Sequence, residues 1–344
     1  MNKYIATWVY LDSAAEKSKY PNTGGDSTSP EFQAVYWRCI IVFFETSLKF
    51  HKDATHILFT NTTEVPIVDG LDLNDYFRKK GIQVVTLKNK YPLPENYFGS
   101  FRNQFFEFSI IDHLATFMED ADGLLLLDSD CVFTGSMDGA FAQLQQQPYA
   151  MTYVVDHEEE YTVHGVSGKD MRTLSNELGL SLTKNPYYSG GELLFAKGTF
   201  FKAVAADFPS LYDNMMQRHK AGKIKFNEEA HVLSYYYYKH PSKIGGMDGH
   251  IKRLWTNRNY YRNVSATDRE LTIWHLPNEK RKGLDQLFAL IVKDPEALNN
   301  MEGEAYRQLL FNTLLLASNH KWDYYKVFKN AVNKTLKKLK IISK

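Results

Sequence analysis

The chain has 344 residues, of which 44% are apolar, and a formal net charge of +1. That length suits one large domain or two with a sizeable core, and the near-zero charge excludes the broad positive field of a nucleic-acid-binding protein. No apolar run approaches a membrane span. The two cysteines, Cys39 and Cys131, each sit in an apolar run, which reads as reduced buried thiols rather than a disulfide framework. Met1-Asn2-Lys3-Tyr4-Ile5-Ala6 lacks the layout of a signal peptide, so the expectation is a cytoplasmic protein.

Lys3–Tyr10 reads as a first strand, rich in Ile, Val, Thr and aromatics. Leu11–Pro30 is a polar loop, long enough to suggest a role. Glu31–His51 predicts a helix with Lys49 and His51 at its end, and His56–Thr60 a strand. Leu71–Lys80 predicts a short helix, Gly81–Leu87 a strand, Lys88–Gly99 a loop and Phe101–Met118 a helix. Beyond the leucine run at 123–127, Met137–Gln147 predicts a helix and Tyr149–Val155 a strand ending at Asp156. His157–Lys184 reads as irregular. Glu192–Ala196 predicts a strand, Thr199–His219 a helix interrupted at Pro209, and Asn227–Tyr238 a helix. Ile251–Trp255 and Leu271–Trp274 predict short strands. Strands alternating with helices predict an α/β fold with a largely parallel sheet.

Gly123-Leu124-Leu125-Leu126-Leu127-Asp128-Ser129-Asp130-Cys131 is the most informative stretch. An apolar run this short, bounded by acids, predicts a fully buried strand. It delivers Asp128 and Asp130 to the C-terminal sheet edge, where open α/β sheets bind ligands. On an extended backbone the two side chains share one side. Like charges that close favour a divalent cation between them, Mn²⁺ or Mg²⁺ with oxygen ligands. The plain alternative is a solvated turn. A second pair of acids, Glu228 and Glu229, opens the helix of 227–238, following Tyr187-Tyr188-Ser189-Gly190-Gly191. Paired glycines before a strand signal close approach of a ligand or another backbone.

The order of strand, Asp-x-Asp, Gly-Gly turn and acidic helix resembles metal-dependent glycosyltransferases of the GT-A fold. Tyr36 through Thr46, Ser100-Phe101-Arg102, Tyr187 through Gly191 and Glu228-Glu229-Ala230-His231, continuing through Pro241 to Ile244, resemble blocks of family 6, the retaining α-1,3-galactosyl- and N-acetylgalactosaminyltransferases. The resemblance covers about Tyr36 to Ile244. Thr272-Ile273-Trp274-His275-Leu276-Pro277 with Lys280-Arg281-Lys282 looks instead like family 8, which uses a late His as third metal ligand and a basic residue on the pyrophosphate.

The resemblance implies a catalytic domain over 1–283 and a helical C-terminal region over 284–344. It implies that Asp128, Asp130 and His275 hold the metal against the diphosphate of a UDP-sugar. Tyr36, with Tyr10 as a rival, would lie near the uracil; Arg102, Ser129, Gly190, Gly191, Lys280, Arg281 and Lys282 would contact the donor. Glu228 would bind the donor sugar. Glu229 would lie under the anomeric carbon, as nucleophile of a double displacement or as stabiliser of an oxocarbenium-like state. Asp156, Tyr188, Phe226 and His231 would face the acceptor, a glycan or lipid-linked glycan; Phe226 stands where the family has Trp. If Gly190 and Gly191 face C2 of the sugar, they leave room for an N-acetyl group and favour UDP-GalNAc over UDP-Gal.

Further readings stand beside the resemblance. Lys321–Lys344 has the pattern of a basic amphipathic helix, suited to an anionic membrane surface or to docking on the catalytic domain; the first places the protein on the inner face of the membrane. The run through Asp-Ser-Asp also matches the opening motif of haloacid-dehalogenase-type phosphatases, but no later Gly-Asp-x-x-x-Asp follows. A non-catalytic carbohydrate-binding protein is the third alternative.

Overall fold

Leu124–Leu127 are all buried, and their neighbours explain why no polar residue interrupts them. In the computed structural model, Leu124 and Leu126 face one hydrophobic cluster while Leu125 and Leu127 face another, so both sides of the strand are covered. The structure describes residues 1–344 except 21–22, 147–148, 157–159, 241–243, 258–261 and 317–344. The basic segment 321–344 therefore lies outside the described residues.

In chain order, β1 (Lys3–Val9) leads through a long loop to α1 (Pro30–Phe50) and β2 (Thr55–Thr60). A small hairpin, β3 (Ile67–Val68) and β4 (Leu71–Asp72), precedes α2 (Leu73–Lys80) and β5 (Gln83–Thr86). Then come α3 (Phe106–Phe117), β6 (Gly123–Leu127), β7 (Cys131–Phe133), α4 (Asp138–Gln146), β8 (Ala150–Thr152) and β9 (Val154–Asp156). A second hairpin, β10 (Thr162–Val163) and β11 (Val166–Ser167), feeds α5 (Gly168–Glu177). After β12 (Tyr188–Ser189) and β13 (Leu193–Lys197) follow α6 (Gly198–Lys220), α7 (Glu229–Lys239), β14 (Ile244–Gly246), β15 (Ile251–Arg253), β16 (Ile273–His275), α8 (Gly283–Lys293) and α9 (Gly303–Thr313).

Seven strands form the central sheet in the order β14-β8-β13-β6-β1-β2-β5. β6, β1, β2 and β5 run parallel, as does the β8–β14 pair, while β13 is antiparallel to both its neighbours. The mostly parallel sheet flanked by helices agrees with the expected α/β class. On one face lie α3 and α6, joined by the stacked rings of Phe108 and Phe208, whose centroids are 3.7 Å apart. On the other lie α1 and α8, and the described part of the 284–344 region shares this core through Leu287, Phe288 and Leu310.

Several local expectations are corrected. Helix α3 begins at Phe106; Phe101 adopts a positive φ of 52° and the residues after it form turns. Helix α6 runs unbroken through Pro209, which stands exposed while Phe208 and Leu211 on either side are buried; packing of the helix outweighs the lost backbone bond. The stretch after residue 160 is not irregular: α5 carries a capping box between Ser167 and Asp170. The apolar stretch at 149–155 divides at Tyr153, giving β8 to the main sheet and β9 to a pair with β12.

Candidate active site

The Asp-x-Asp stands in a turn and not on extended backbone. β6 ends at Leu127, and the Cys131 N–H donates to the Asp128 carbonyl at 3.1 Å, closing the turn that starts β7. Two further bonds pin this turn: Asp128 N–H to the Glu192 carbonyl, 3.1 Å, and Leu276 N–H to the Asp130 carbonyl, 3.0 Å. A three-stranded sheet, β15-β16-β7, then sets His275 opposite Cys131 and Arg253 opposite His275. Strand pairing thus delivers a histidine from far along the chain beside the two acids.

Asp128, Asp130 and His275 offer donor atoms that all lie within 4.8 Å of one another. His275 Nε2 is 3.5 Å from Asp128 Oδ2 and 3.4 Å from Asp130 Oδ1. Lys280 makes an ion pair with the other Asp130 oxygen. Desolvation in the cavity wall and the adjacent Asp130 carboxylate push Asp128 upward, although its side chain stays 40% exposed. Against the cost of burial, Lys280 and His275 hold Asp130 well below the usual carboxylate range. Burial would favour a neutral His275, but Asp130 and Glu192 raise it to about 9. Two hard oxygen donors and one imidazole converging on a point, with cationic side chains drawn onto them, fit a divalent ion such as Mn²⁺.

These groups line a cavity of about 280 Å³ that also takes in Tyr10, Tyr36, Ser129, Tyr188, Gly191, Glu228, Glu229 and Lys280. One wall is aromatic. Tyr36 packs against Phe32 and Tyr20, with centroids 5.4 and 5.9 Å apart, and Lys280 Nζ lies 5.9 Å from the Tyr36 ring centre. Tyr10 donates its hydroxyl to Glu16 at 2.6 Å.

Glu228 and Glu229, adjacent in sequence, have different surroundings. Glu228, at the N-cap of α7, accepts from the Tyr188 hydroxyl at 2.7 Å and pairs with His164. Although burial works against ionisation, the His164 bond keeps its pKa lowered. Glu229 is inside the first turn, and its Oε2 has no hydrogen-bond partner among the described residues. Burial, then the charges of Glu228 and Glu107, push Glu229 well above the usual range, toward a neutral acid.

The structure separates the remaining predicted residues. Arg102 does not line the cavity; it donates to the carbonyls of Leu93, 3.3 Å, and Ala15, 3.1 Å, and so ties down the loop after β1. Arg281 ties the same loop through the Thr23 carbonyl at 3.0 Å, and Lys282 is exposed at the N-cap of α8. Phe226 is fully buried against Tyr235. His231 is buried behind Tyr188, 3.6 Å from Glu228. Asp156 stands on β9 opposite Tyr188 in the register of β12.

The glycines are explained differently from the expectation. A Cβ on Gly190 would collide with the Glu192 carboxylate and Val155, and one on Gly191 with Glu229 and Ala230. The missing side chains make room for two carboxylates.

Sequence reasoning passed over Glu192, Arg253 and His164. Glu192 and Arg253 form a buried ion pair in the cavity wall, and His164 sits at the tip of the β10–β11 hairpin with φ 44°. The one available signal was Glu192 itself, a charge directly after two glycines and before an apolar strand.

No protein-family model and no curated protein sequence matches the chain. Among solved structures, the chain is similar to an active-site mutant of LgtC, with 12% identity, a TM-score of 0.44, and coverage of 79% of this chain and 86% of that one. It is similar to mouse xyloside xylosyltransferase 1 in its apo form at 9% identity and a TM-score of 0.44, covering 80% and 97%. It is also similar to the galactosyltransferase LgtC in complex with donor and acceptor sugar analogs, at 10% identity and a TM-score of 0.43, covering 89% and 99%.

Proposed function

We propose that the chain is a GT-A-type, metal-dependent, retaining glycosyltransferase that moves a hexose, GalNAc or Gal, from a UDP-sugar to a hydroxyl of a glycan or lipid-linked glycan. The observation that carries this reading is the convergence of Asp128, Asp130 and His275 with Lys280 in a cavity that also holds Tyr36, beside Lys280, and the Glu228–Glu229 pair. A phosphatase or a sugar-binding protein has no need of that combination.

A Mn²⁺ or Mg²⁺ ion held by Asp128, Asp130 and His275 would supply neutralisation of the charge that builds on a departing diphosphate. Lys280, now paired with Asp130, is placed to turn toward the same phosphates. Tyr36 offers a flat face near them for the base, and Tyr188 and His164 hold Glu228 ionised toward the sugar. Glu229 lies nearest Gly191. As a nucleophile it would first have to lose the proton that burial favours; as a partner of an oxocarbenium-like state it need only present an oxygen. The unpartnered Oε2 supports the second role, front-face attack. The donor is left to experiment, since the glycine pair is occupied by carboxylates.

The test is UDP release from a panel of UDP-sugars with Mn²⁺ and with EDTA, alongside a generic phosphate monoester. Release from one or two UDP-hexoses, lost in EDTA, is expected. Monoester hydrolysis without UDP release would replace the reading with the phosphatase one. The proposal that segment 321–344 brings the enzyme to the inner face of an anionic membrane rests on its sequence; flotation on anionic liposomes must be lost when it is removed.

A further inference from the structure

Glu192 is a charged side chain to which the proposed reaction gives no task. It is 1% exposed and lies behind the candidate metal ligands. Because β13 runs antiparallel to β6, the residue before β13 lies beside the turn that carries Asp128. On the other side, β15 and β16 place Arg253 and His275 opposite each other. The Glu192 carboxylate spans both. Its Oε1 is 3.0 Å from Arg253 Nε and 3.3 Å from His275 Nδ1, and its Oε2 meets Arg253 Nη2. Gly190 leaves the space this carboxylate fills.

The contact to Nδ1 is electrostatic, since that nitrogen makes no hydrogen bond among the described residues; a carboxylate beside it favours the ring proton there and leaves the Nε2 lone pair for a cation. His275 Nε2 is the atom that faces Asp128 and Asp130. A buried carboxylate stays ionised only with a counter-charge, and the two-pronged guanidinium of Arg253 supplies it and fixes the carboxylate plane. We propose that Glu192 and Arg253 are positioning residues that orient His275 and strengthen it as the third ligand of the cation site. This rests on reading Asp128, Asp130 and His275 as that site, and is independent of which donor is used.

The experiment titrates the full-length protein with Mn²⁺ alone, following free Mn²⁺ by electron paramagnetic resonance, in wild type, Glu192→Gln, His275→Ala and the double variant. Thermal midpoints in EDTA are measured in parallel. Glu192→Gln is expected to raise the Mn²⁺ Kd by roughly 10–100-fold. In the His275→Ala background the same change should alter Kd by no more than about twofold, because it acts through the absent ring. If Glu192→Gln fails to fold, Glu192→Asp keeps the charge on Arg253 while drawing back from His275, and should weaken Mn²⁺ binding ~10-fold. Wild-type affinity in the foldable Glu192 variant, or losses that multiply in the double variant, would overturn the proposal. Coupled losses in a protein that releases no UDP from any UDP-sugar would instead refute the transferase reading and leave this one standing.

Discussion

At the Asp128–Asp130 end of the cavity the charged side chains face counter-charges, whereas at the Glu229 end a half-buried acid has none among the described residues. Lys280, His275 and Arg253 surround the first set. Glu229 has Glu228 on one side and Glu107 on the other, and keeps an unpartnered oxygen. Under the proposed function the first region would exchange its internal cation for an external one. The second presents an unpartnered carboxyl oxygen in the cavity wall, where it would interact with positive charge that develops nearby. In the proposed reaction this contrast would assign leaving-group chemistry and bond-making chemistry to separate elements, the β7–β16 pair and the start of α7.

The largest expected effect comes from breaking the first region. Asp128→Ala or Asp130→Ala should lower turnover of a UDP-sugar by roughly 10³-fold or more, measured as UDP release; substantial turnover in both would separate the acids from the chemistry. In the second region, Glu229→Ala should lower kcat by roughly 10²–10³-fold with little change in donor KM. Glu229→Gln should lower turnover less than Glu229→Ala, because the amide still presents an oxygen. A Gln variant as inactive as the Ala variant would restore the double displacement.

Gly191→Ala sharpens the comparison with a smaller step. Its Cβ would push on the Glu229 carboxylate, and overpacking of this kind costs about 1–3 kcal/mol of stability. Turnover should fall with it while Mn²⁺ binding is kept; loss of Mn²⁺ binding instead would show that the two ends are not separable.

A pH effect tests burial away from the metal ligands. His56 and His231 are each held at about 4 instead of 6.5, chiefly by burial. Unfolded chains take up these protons below about 6.5 while the folded protein resists until about 4, so stability is full above that window and falls through it as pH drops. Each histidine contributes at most about 3 kcal/mol. Thermal midpoints should decline between neutral pH and 4.5, and His56→Asn should flatten the decline; an unchanged slope would contradict the assignment. The smallest effect is expected at Arg102, whose guanidinium is used on loop carbonyls. Arg102→Ala should leave donor KM within about threefold, and a larger rise would return Arg102 to the donor site.

The sequence made the first region more legible than the second. Four leucines followed by acids describe a strand covered on both faces, and His275 with Lys280 stood out as a late basic cluster. What stayed hidden was geometry made by pairing distant strands: the antiparallel placement of β13 brings Glu192 to His275, and β15 beside β16 brings Arg253 to both. No local pattern encodes either. The hairpin at 162–167 consists of two-residue strands, too short for an alternation to show, so His164 and its hold on Glu228 went unread. Phe226 and Arg102 are ligand contacts only as the family resemblance implies; in the fold the first is core and the second is a loop anchor.

The central claim is that this cavity binds a nucleoside diphosphate through a divalent cation. It is tested most directly by calorimetric titration of UDP into the full-length protein with Mn²⁺ and with EDTA. Binding that needs Mn²⁺ and disappears in Asp130→Ala is the predicted result. Equal binding of UDP in EDTA, or none with Mn²⁺ present, would contradict it.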